Sequence, residues 1–264
     1  MHFLFYISET SNMMFQTELL INSILYFSPP VKNLYFSIIV NGEKSGPINK
    51  NLKLTKHKLK NNFLNKHADI FASEYHWLVQ SPARWFITPK DKKCVFMDVD
   101  MIACKNLSSF FKLKENCIYG VNAIKIPMTH NEWNKLGFFN ENDFKYYFNF
   151  GMLVIPSYLM TIIGNMLIDL LPIIMSKFKK YEYFATQIAF ACILKKLNVK
   201  KQSLPIFYNF VDTNKEVDLN KIIFLHYITN RKLFTNLNNI VKNVEENKYT
   251  KKVNSIIKKF YNKI

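Results

Sequence analysis

The sequence predicts one α/β domain in which neighbouring parallel strands alternate with helices. The chain opens with a buried strand, an apolar helix and a second strand, and strand and helix patterns then alternate without a flexible linker. A strand-helix-strand unit places its two strands side by side and parallel. At 264 residues, with 49% hydrophobic and 16% aromatic content, the chain is long enough for a real core and is not disordered.

The elements follow from apolar runs and the residues that interrupt them. Strands are predicted at 2–7, 34–40, 93–97, 117–122, 147–155 and 222–227. Helices are predicted from an N-cap at Thr10 or Ser11 to Pro29, and at 73–86, 157–176 and 181–197. Residues 43–68 are polar and rich in lysine, which predicts loops and a short helix.

The run from 152 to 175 is apolar enough to raise the question of a membrane span. Pro156, Asn165, Asp169 and Pro172 interrupt it. We therefore predict a buried helix that starts after Pro156. The N-terminal residues have neither a basic region nor a small-residue cleavage site, so they predict a strand and a cytoplasmic protein.

Charge and cysteine content restrict the possible partners. There are 36 basic and 19 acidic residues, a formal charge of +17 that favours an anionic partner such as a nucleotide, a phosphorylated glycan, an anionic membrane or nucleic acid. Only Arg84 and Arg231 are arginines and no nucleic-acid motif is present, which argues against nucleic acid. The four cysteines form no C-x-x-C pair and are predicted to be buried, reduced thiols.

The C-terminal segment, 240–264, is predicted as a basic amphipathic helix that follows the domain at 1–239. Ile256, Ile257, Phe260 and Ile264 share one helical face among lysines. Such a segment can pack its apolar face on the domain, which we favour, or can lie on an anionic membrane as a peripheral contact.

The most informative stretch is the strand at 93–97 and the carboxylates that follow it, Asp98-Val99-Asp100. A sheet presents its ligand sites at the carboxyl ends of its strands. Mn²⁺ and Mg²⁺ prefer oxygen ligands and can bridge to phosphate. The pattern therefore indicates a site for a metal ion and a nucleoside diphosphate.

Three further sequence blocks follow the aspartate pair along the chain. They are Y-F-N-F-G-M-L-V-I at 147–155, A-T-Q at 185–187 with L-P-x-x-Y-N at 204–209, and F-L-H-Y at 224–227 with Lys232 six residues after the histidine. Together with the aspartate pair, their order and spacing resemble the glycogenin-like retaining glycosyltransferases of family 8, which include bacterial lipopolysaccharide glucosyl- and galactosyltransferases. The resemblance covers about residues 2–234.

The resemblance implies a GT-A fold, in which a Rossmann-like mixed, mainly parallel sheet is flanked by helices. It also implies a Mn²⁺ or Mg²⁺ ion and a UDP-glucose or UDP-galactose type of donor. The acceptor would be a glycan, a lipid-linked or a protein group, and transfer would proceed with retention. Carried over by position, the implied metal ligands are Asp98, Asp100 and His226. The implied donor-binding residues are Ile7, Ser8, Glu9, Arg84, Asp98, Val99, Asp100, Gly151 and Lys232. The residues implied at the reacting sugar are Asn149, Thr186 and Gln187.

Two departures from the family pattern keep other interpretations open. Thr186 stands where the family has an aspartate, and Thr229 and Leu233-Phe234 replace the glycine and Pro-Trp of the last block. The chain could therefore be a degenerate transferase that binds nucleotides or glycans, or a basic protein that binds a membrane surface or nucleic acid. The insert at 125–146 is the predicted acceptor-specific element, because loops supply specificity on a shared scaffold.

Overall fold

A computed structural model of the chain describes residues 1–8, 11–30, 33–41, 54–58, 81–211, 218–228 and 248–261. The strands in this part are β1 (His2–Ser8), β2 (Tyr35–Asn41), β3 (Leu54–Lys58), β4 (Lys93–Met97), β5 (Met101–Ala103), β6 (Cys117–Asn122), β7 (Phe148–Pro156), β8 (Lys200–Leu204), β9 (Phe210–Val211) and β10 (Phe224–His226). The α-helices are α1 (Ser11–Phe27), α2 (Ser108–Phe111), α3 (His130–Asn134), α4 (Met160–Lys177), α5 (Ala185–Lys196) and α6 (Lys248–Tyr261). Short 3-10 helices lie at Ser81–Phe86, Glu141–Phe144, Ser157–Leu159, Lys179–Phe184 and Ile206–Tyr208.

Seven strands form the main sheet in the order β3-β2-β1-β4-β7-β6-β8. Strands β3, β2, β1 and β4 run parallel, as do β6 and β8, while β7 is antiparallel to both of its neighbours. The predicted mixed, mainly parallel sheet and its opening strand-helix-strand unit are therefore confirmed. A second, three-stranded sheet has the order β5-β10-β9.

Helices cover both faces of the main sheet because successive strand residues point to opposite sides. Phe3, Phe5 and Ile7 of β1 pack with α1 and with part of the small sheet. Leu4 points to the other face, which α4 and α5 cover. On that face the Trp85 ring stacks on Phe96, with 4.1 Å between centroids.

Helix α4 contains the apolar run that raised the membrane question. Together with the 3-10 turn before it, this is the only segment of the described residues that is long and apolar enough to cross a bilayer. One side of the helix packs into the core through Met160, Ile163, Leu167, Leu171 and Ile174. The spacing is that of an amphipathic helix on a globular core, which agrees with the predicted buried helix.

Helix α6 packs its apolar side on the small sheet and on α1. Val253, Ile256 and Ile257 are buried in one cluster with Leu19 and Tyr227, whereas Lys258 is exposed. The apolar side of this helix is therefore occupied within the fold. Ile264 and the side chain of Phe260 lie outside the described part.

The packing of α6 makes a stability prediction. Ile256→Ala is expected to lower the free energy of unfolding by about 2–5 kcal/mol, because it removes buried methyl groups and leaves a cavity. Lys258→Ala on the exposed side of the same helix is the matched control and should change stability by less than about 0.5 kcal/mol. Urea unfolding of the two variants measures the difference, and equal midpoints would contradict the docked position of α6.

The differences from the predicted elements have identifiable reasons. A strand, β3, lies inside the polar stretch 43–68, and β8 was not predicted. Both are edge strands that contain lysines, a composition that protects exposed sheet edges and hides their β character. Of the predicted helix 73–86 only the 3-10 turn at Ser81–Phe86 lies in the described part.

Boundaries shifted at two other elements. The predicted helix at 181–197 begins as a 3-10 helix and becomes α-helical only at Ala185. The predicted strand at 222–227 is shorter, from Phe224 to His226. All four cysteines are free and buried, as predicted. Burial raises the pKa of Cys94 and of Cys104 to about 12, which keeps both thiols protonated and unreactive.

Candidate metal and nucleotide site

The aspartate pair spans the junction between the two sheets. Asp98 directly follows β4 of the main sheet, and Asp100 directly precedes β5 of the small sheet. Strand β10 runs antiparallel to β5 with His226 opposite Met101, so the imidazole reaches Asp100. His226 Nε2 lies 3.1 Å from Asp100 Oδ1 and 3.9 Å from Asp98 Oδ2.

Backbone hydrogen bonds fix these three residues in place. The N–H of Asp98 donates to the carbonyl of Gly151 on β7 at 2.9 Å, and the N–H of Tyr227 donates to the carbonyl of Asp100 at 3.0 Å. The side chains of Asp100 and His226 are only 5% and 3% exposed, but that of Asp98 is 44% exposed. The cluster is therefore closed on one side and open on the other.

The donor set fits a hard divalent cation. One ligand atom from each of Asp98, Asp100 and His226 can be chosen so that all three lie within 4.8 Å of one another. Two ligands at adjacent octahedral positions, each ~2.1 Å from the ion, are ~3.0 Å apart. The 3.1 Å between His226 Nε2 and Asp100 Oδ1 agrees with that spacing. Two carboxylates and an imidazole are suitable ligands for Mn²⁺.

Two side-chain amides, those of Asn149 and Asn209, form a hydrogen-bonded relay that ends at the imidazole of His226. The N–H of Gly151 donates to Asn149 Oδ1 at 2.8 Å, and Asn209 Nδ2 donates to the same oxygen at 3.0 Å. Asn209 Oδ1 lies 3.1 Å from His226 Nδ1. The relay joins β7 of the main sheet to the residue that precedes β9 in the small sheet.

The open side of the cluster faces a cavity of about 250 Å³. Nine of the residues predicted for the site line it, namely Arg84, Asp98, Val99, Asp100, Asn149, Gly151, Thr186, Gln187 and His226. The structure therefore brings four separated sequence blocks to one place. Further lining residues, which the sequence analysis did not assign, are Tyr6, Met13, Gln16, Phe150, Tyr183, Phe184 and Ile228.

Arg84 supports the strand that ends in the aspartate pair. It is 2% exposed, its Nη1 donates to the carbonyl of Met97 at 3.1 Å, and its guanidinium carbon lies 5.4 Å from the centroid of the Phe96 ring. Burial lowers the pKa of Arg84, and the negative charge of Asp98 opposes that shift. An arginine remains charged under these conditions, so it contributes fixed positive charge beside the open carboxylate.

Only some of the residues predicted to bind the donor nucleotide belong to the described part of the chain. Ile7 and Ser8 belong to β1 itself rather than to the loop after it. The Ile7 side chain is fully buried in the core, so only its backbone could contact a nucleoside, and Tyr6 lines the cavity instead. Glu9 and Lys232 lie outside the described residues, as do the altered positions at 229 and 233–234.

The site residues that the sequence analysis did not assign differ in how well the sequence marks them. Asn209 stands at the end of the L-P-x-x-Y-N block and could have been assigned from it. Tyr183 and Phe184, whose rings meet edge to face at 5.0 Å, directly precede the A-T-Q block. Met13 and Gln16 sit on α1, where nothing in the helical pattern separates a cavity residue from a core residue.

The insert at 125–146 is fastened to the segment that borders the cavity. Glu132 forms an ion pair with Lys180 at 2.8 Å and accepts a hydrogen bond from the Tyr181 hydroxyl at 2.7 Å. Lys180 and the hydrogen bonds around it lower the pKa of Glu132 to about 2. Lys180 and Tyr181 belong to the 3-10 helix Lys179–Phe184, whose last two residues line the cavity.

Three solved glycosyltransferases share the fold of this chain. The chain superposes on the galactosyltransferase LgtC, solved with donor and acceptor sugar analogues, with a TM-score of 0.62 over 86% of this chain and 87% of that one at 12% identity. Mouse xyloside xylosyltransferase 1 matches with a TM-score of 0.56, 13% identity and coverage of 87% and 98%. The bifunctional glycosyltransferase WbbM matches with a TM-score of 0.58 at 15% identity over 96% of this chain and 51% of that one.

No protein-family model and no curated protein matches the chain. The structural matches show that the chain has a GT-A-type fold, that of the family 8 retaining glycosyltransferases LgtC and xyloside xylosyltransferase. They confirm the predicted fold class.

Proposed function

We propose that this chain is a divalent-metal-dependent glycosyltransferase that moves a hexose from a UDP-linked donor to a glycan, lipid-linked or protein acceptor. The observation that supports it best is the position of Asp98, Asp100 and His226. In a GT-A-type fold, these three side chains stand together on the wall of a cavity, at the carboxyl end of β4. That is where a sheet of this kind presents its ligand site.

Different residues of this chain would bind the metal ion, the phosphates and the sugar of the donor. Asp98, Asp100 and His226 would hold Mn²⁺ or Mg²⁺, and a bound ion would neutralise the charge that develops on the departing diphosphate. Arg84 and Lys232 would add positive charge near the phosphates, and the net charge of +17 attracts an anionic donor from a distance. Asn149 and Gln187, both on the cavity wall, would orient the sugar by hydrogen bonds.

The retention that the family resemblance implies would proceed by attack on the same face, because the side chains at 186 and 187 offer no good nucleophile for a double displacement. An amide such as that of Gln187 is a poor nucleophile, and Thr186 supplies no carboxylate. The bond between the anomeric carbon and the β-phosphate oxygen breaks, and its electron pair stays on the phosphate. The acceptor hydroxyl oxygen forms the new bond on the same face, and its proton passes to the released phosphate oxygen.

The test is UDP release from a panel of UDP-sugars, measured with Mn²⁺ and with a chelator. We expect release from one donor, a gain with the correct acceptor, and loss on chelation. Folded protein that releases nucleotide from no UDP- or GDP-sugar, with or without a mixed glycan acceptor panel, would contradict the proposal. The position of Thr186 in the cavity favours one other candidate, a fold that binds nucleotide without turnover. Calorimetric binding of UDP without release would support that candidate.

A further inference from the structure

The backbone N–H of Gly151 fixes the orientation of a side-chain amide. A backbone N–H can only donate, so the Asn149 atom that it meets at 2.8 Å is the oxygen. The Asn209 group that approaches the same oxygen at 3.0 Å must then be the NH₂. The other end of the Asn209 amide, its oxygen, therefore faces His226.

The orientation of Asn209 decides which imidazole nitrogen of His226 has the proton. Asn209 Oδ1 lies 3.1 Å from His226 Nδ1. A carbonyl oxygen can only accept, so Nδ1 must be the N–H donor. Asp100 Oδ1, 3.1 Å from Nε2, is also only an acceptor, so Nε2 presents its lone pair on this side when a cation takes the place of its proton. Nε2 is the atom that faces Asp100 and Asp98.

Burial makes Asn209 the partner of the proton on Nδ1. Asn209 and His226 are each 2% exposed, so bulk water does not compete for Nδ1. Gly151 is also required for its missing side chain, because a Cβ there would lie 2.8 Å from His226 Nδ1 and 2.9 Å from Asn149 Oδ1. The relay and the imidazole are packed directly against each other.

We propose that Asn209 is the positioning residue of the metal site, and that it acts by holding His226 in the Nδ1–H tautomer with Nε2 directed at the ion. The proposal rests on the metal site of the proposed function. Residues behind metal-bound histidines typically change metal affinity by about 10- to 100-fold when replaced. Asn209 directly precedes β9 of the small sheet and Asn149 lies on β7 of the main sheet, so the relay also connects the histidine to both sheets.

The experiment measures Mn²⁺ affinity by electron paramagnetic resonance, without any sugar donor, in the wild type, Asn209→Leu and Asn209→Asp. Leucine has nearly the same size as asparagine but accepts no hydrogen bond. The Mn²⁺ affinity of the Asn209→Leu variant should therefore fall by about 10- to 100-fold. Aspartate still offers an oxygen to the Nδ1–H but loses the hydrogen bond to Asn149 Oδ1, so the Mn²⁺ affinity of this variant should fall clearly less than that of the leucine variant. Equal loss in both variants would indicate a packing role and overturn the proposal, as would unchanged affinity in the leucine variant.

A second readout does not depend on any variant of Asn209. The ¹⁵N shifts of the wild type saturated with Mg²⁺, a diamagnetic ion, report which imidazole nitrogen has the proton, and His226→Gln identifies the signals. We expect a protonated Nδ1 and an unprotonated Nε2, and the opposite tautomer would overturn the proposal. A wild type that binds no Mn²⁺ would overturn the metal site, and with it the proposed function. Normal Mn²⁺ binding with the opposite tautomer would overturn only the role of Asn209.

Discussion

Asp100→Asn is expected to reduce metal-dependent sugar transfer by about 10²–10³-fold or more, the usual loss when one electrostatic contributor to a transition state is removed. The Asp100 side chain is 5% exposed and its Oδ1 lies 3.1 Å from His226 Nε2. An amide at this place removes a negative charge from the ion. It can also turn its NH₂ toward Nε2 and occupy the lone pair that the metal needs.

The measurement is kcat/KM for UDP release together with Mn²⁺ affinity. Asp169→Asn, at an exposed position of α4, makes the same chemical change far from the cavity and should behave as the wild type. Because Asp100 is buried, urea unfolding must show that the variant is folded. A folded Asp100→Asn variant with wild-type affinity for Mn²⁺ would exclude Asp100 as a metal ligand.

Gly151→Ala is expected to be nearly as damaging, although it adds only one methyl group. The new Cβ would lie 2.6 Å from His226 Cε1 and 2.9 Å from Asn149 Oδ1, closer than carbon atoms in proteins normally approach such neighbours. The imidazole or the amide relay must move to make room. A displacement of ~1 Å at a reacting site can cost about 10²-fold in rate.

Gly137→Ala is the matched control for this change. Gly137 has φ of +84°, and a Cβ added there would meet no atom within 4 Å, so alanine should cost about 1 kcal/mol of stability through backbone strain alone. It should leave Mn²⁺ affinity unchanged. Gly151→Ala should instead weaken metal binding, and overpacking should cost about 1–3 kcal/mol of stability. If both variants bind Mn²⁺ equally well, Gly151 does not set the position of His226.

The strand and the carboxylates of this site could be predicted from the sequence because both signals are local. The bounds of β4 were predicted correctly, since an apolar run ends at two aspartates. The place of His226 beside Asp100, 126 residues away in the chain, depends on the pairing of β10 with β5. Residue spacing alone does not reveal that pairing, and only the family resemblance suggested it.

Other parts of the site could not be predicted for physical reasons. The role of Asn209 depends on which way two amides point, which only the N–H of Gly151 decides. Tyr183 and Phe184 line the cavity, yet in the sequence they are two aromatics among many. The edge strand β8 reads K-K-Q-S-L with alternating exposure, and its lysines hide a strand that completes the sheet.

The most direct test of the metal and nucleotide site is anomalous diffraction at the manganese edge from crystals grown with Mn²⁺ and UDP. We predict one strong peak within ~2.4 Å of His226 Nε2 and of a carboxylate oxygen from each of Asp98 and Asp100, with the diphosphate on its open, cavity-facing side. UDP bound elsewhere, or a manganese peak that none of these three side chains contacts, would contradict the site and the function proposed from it.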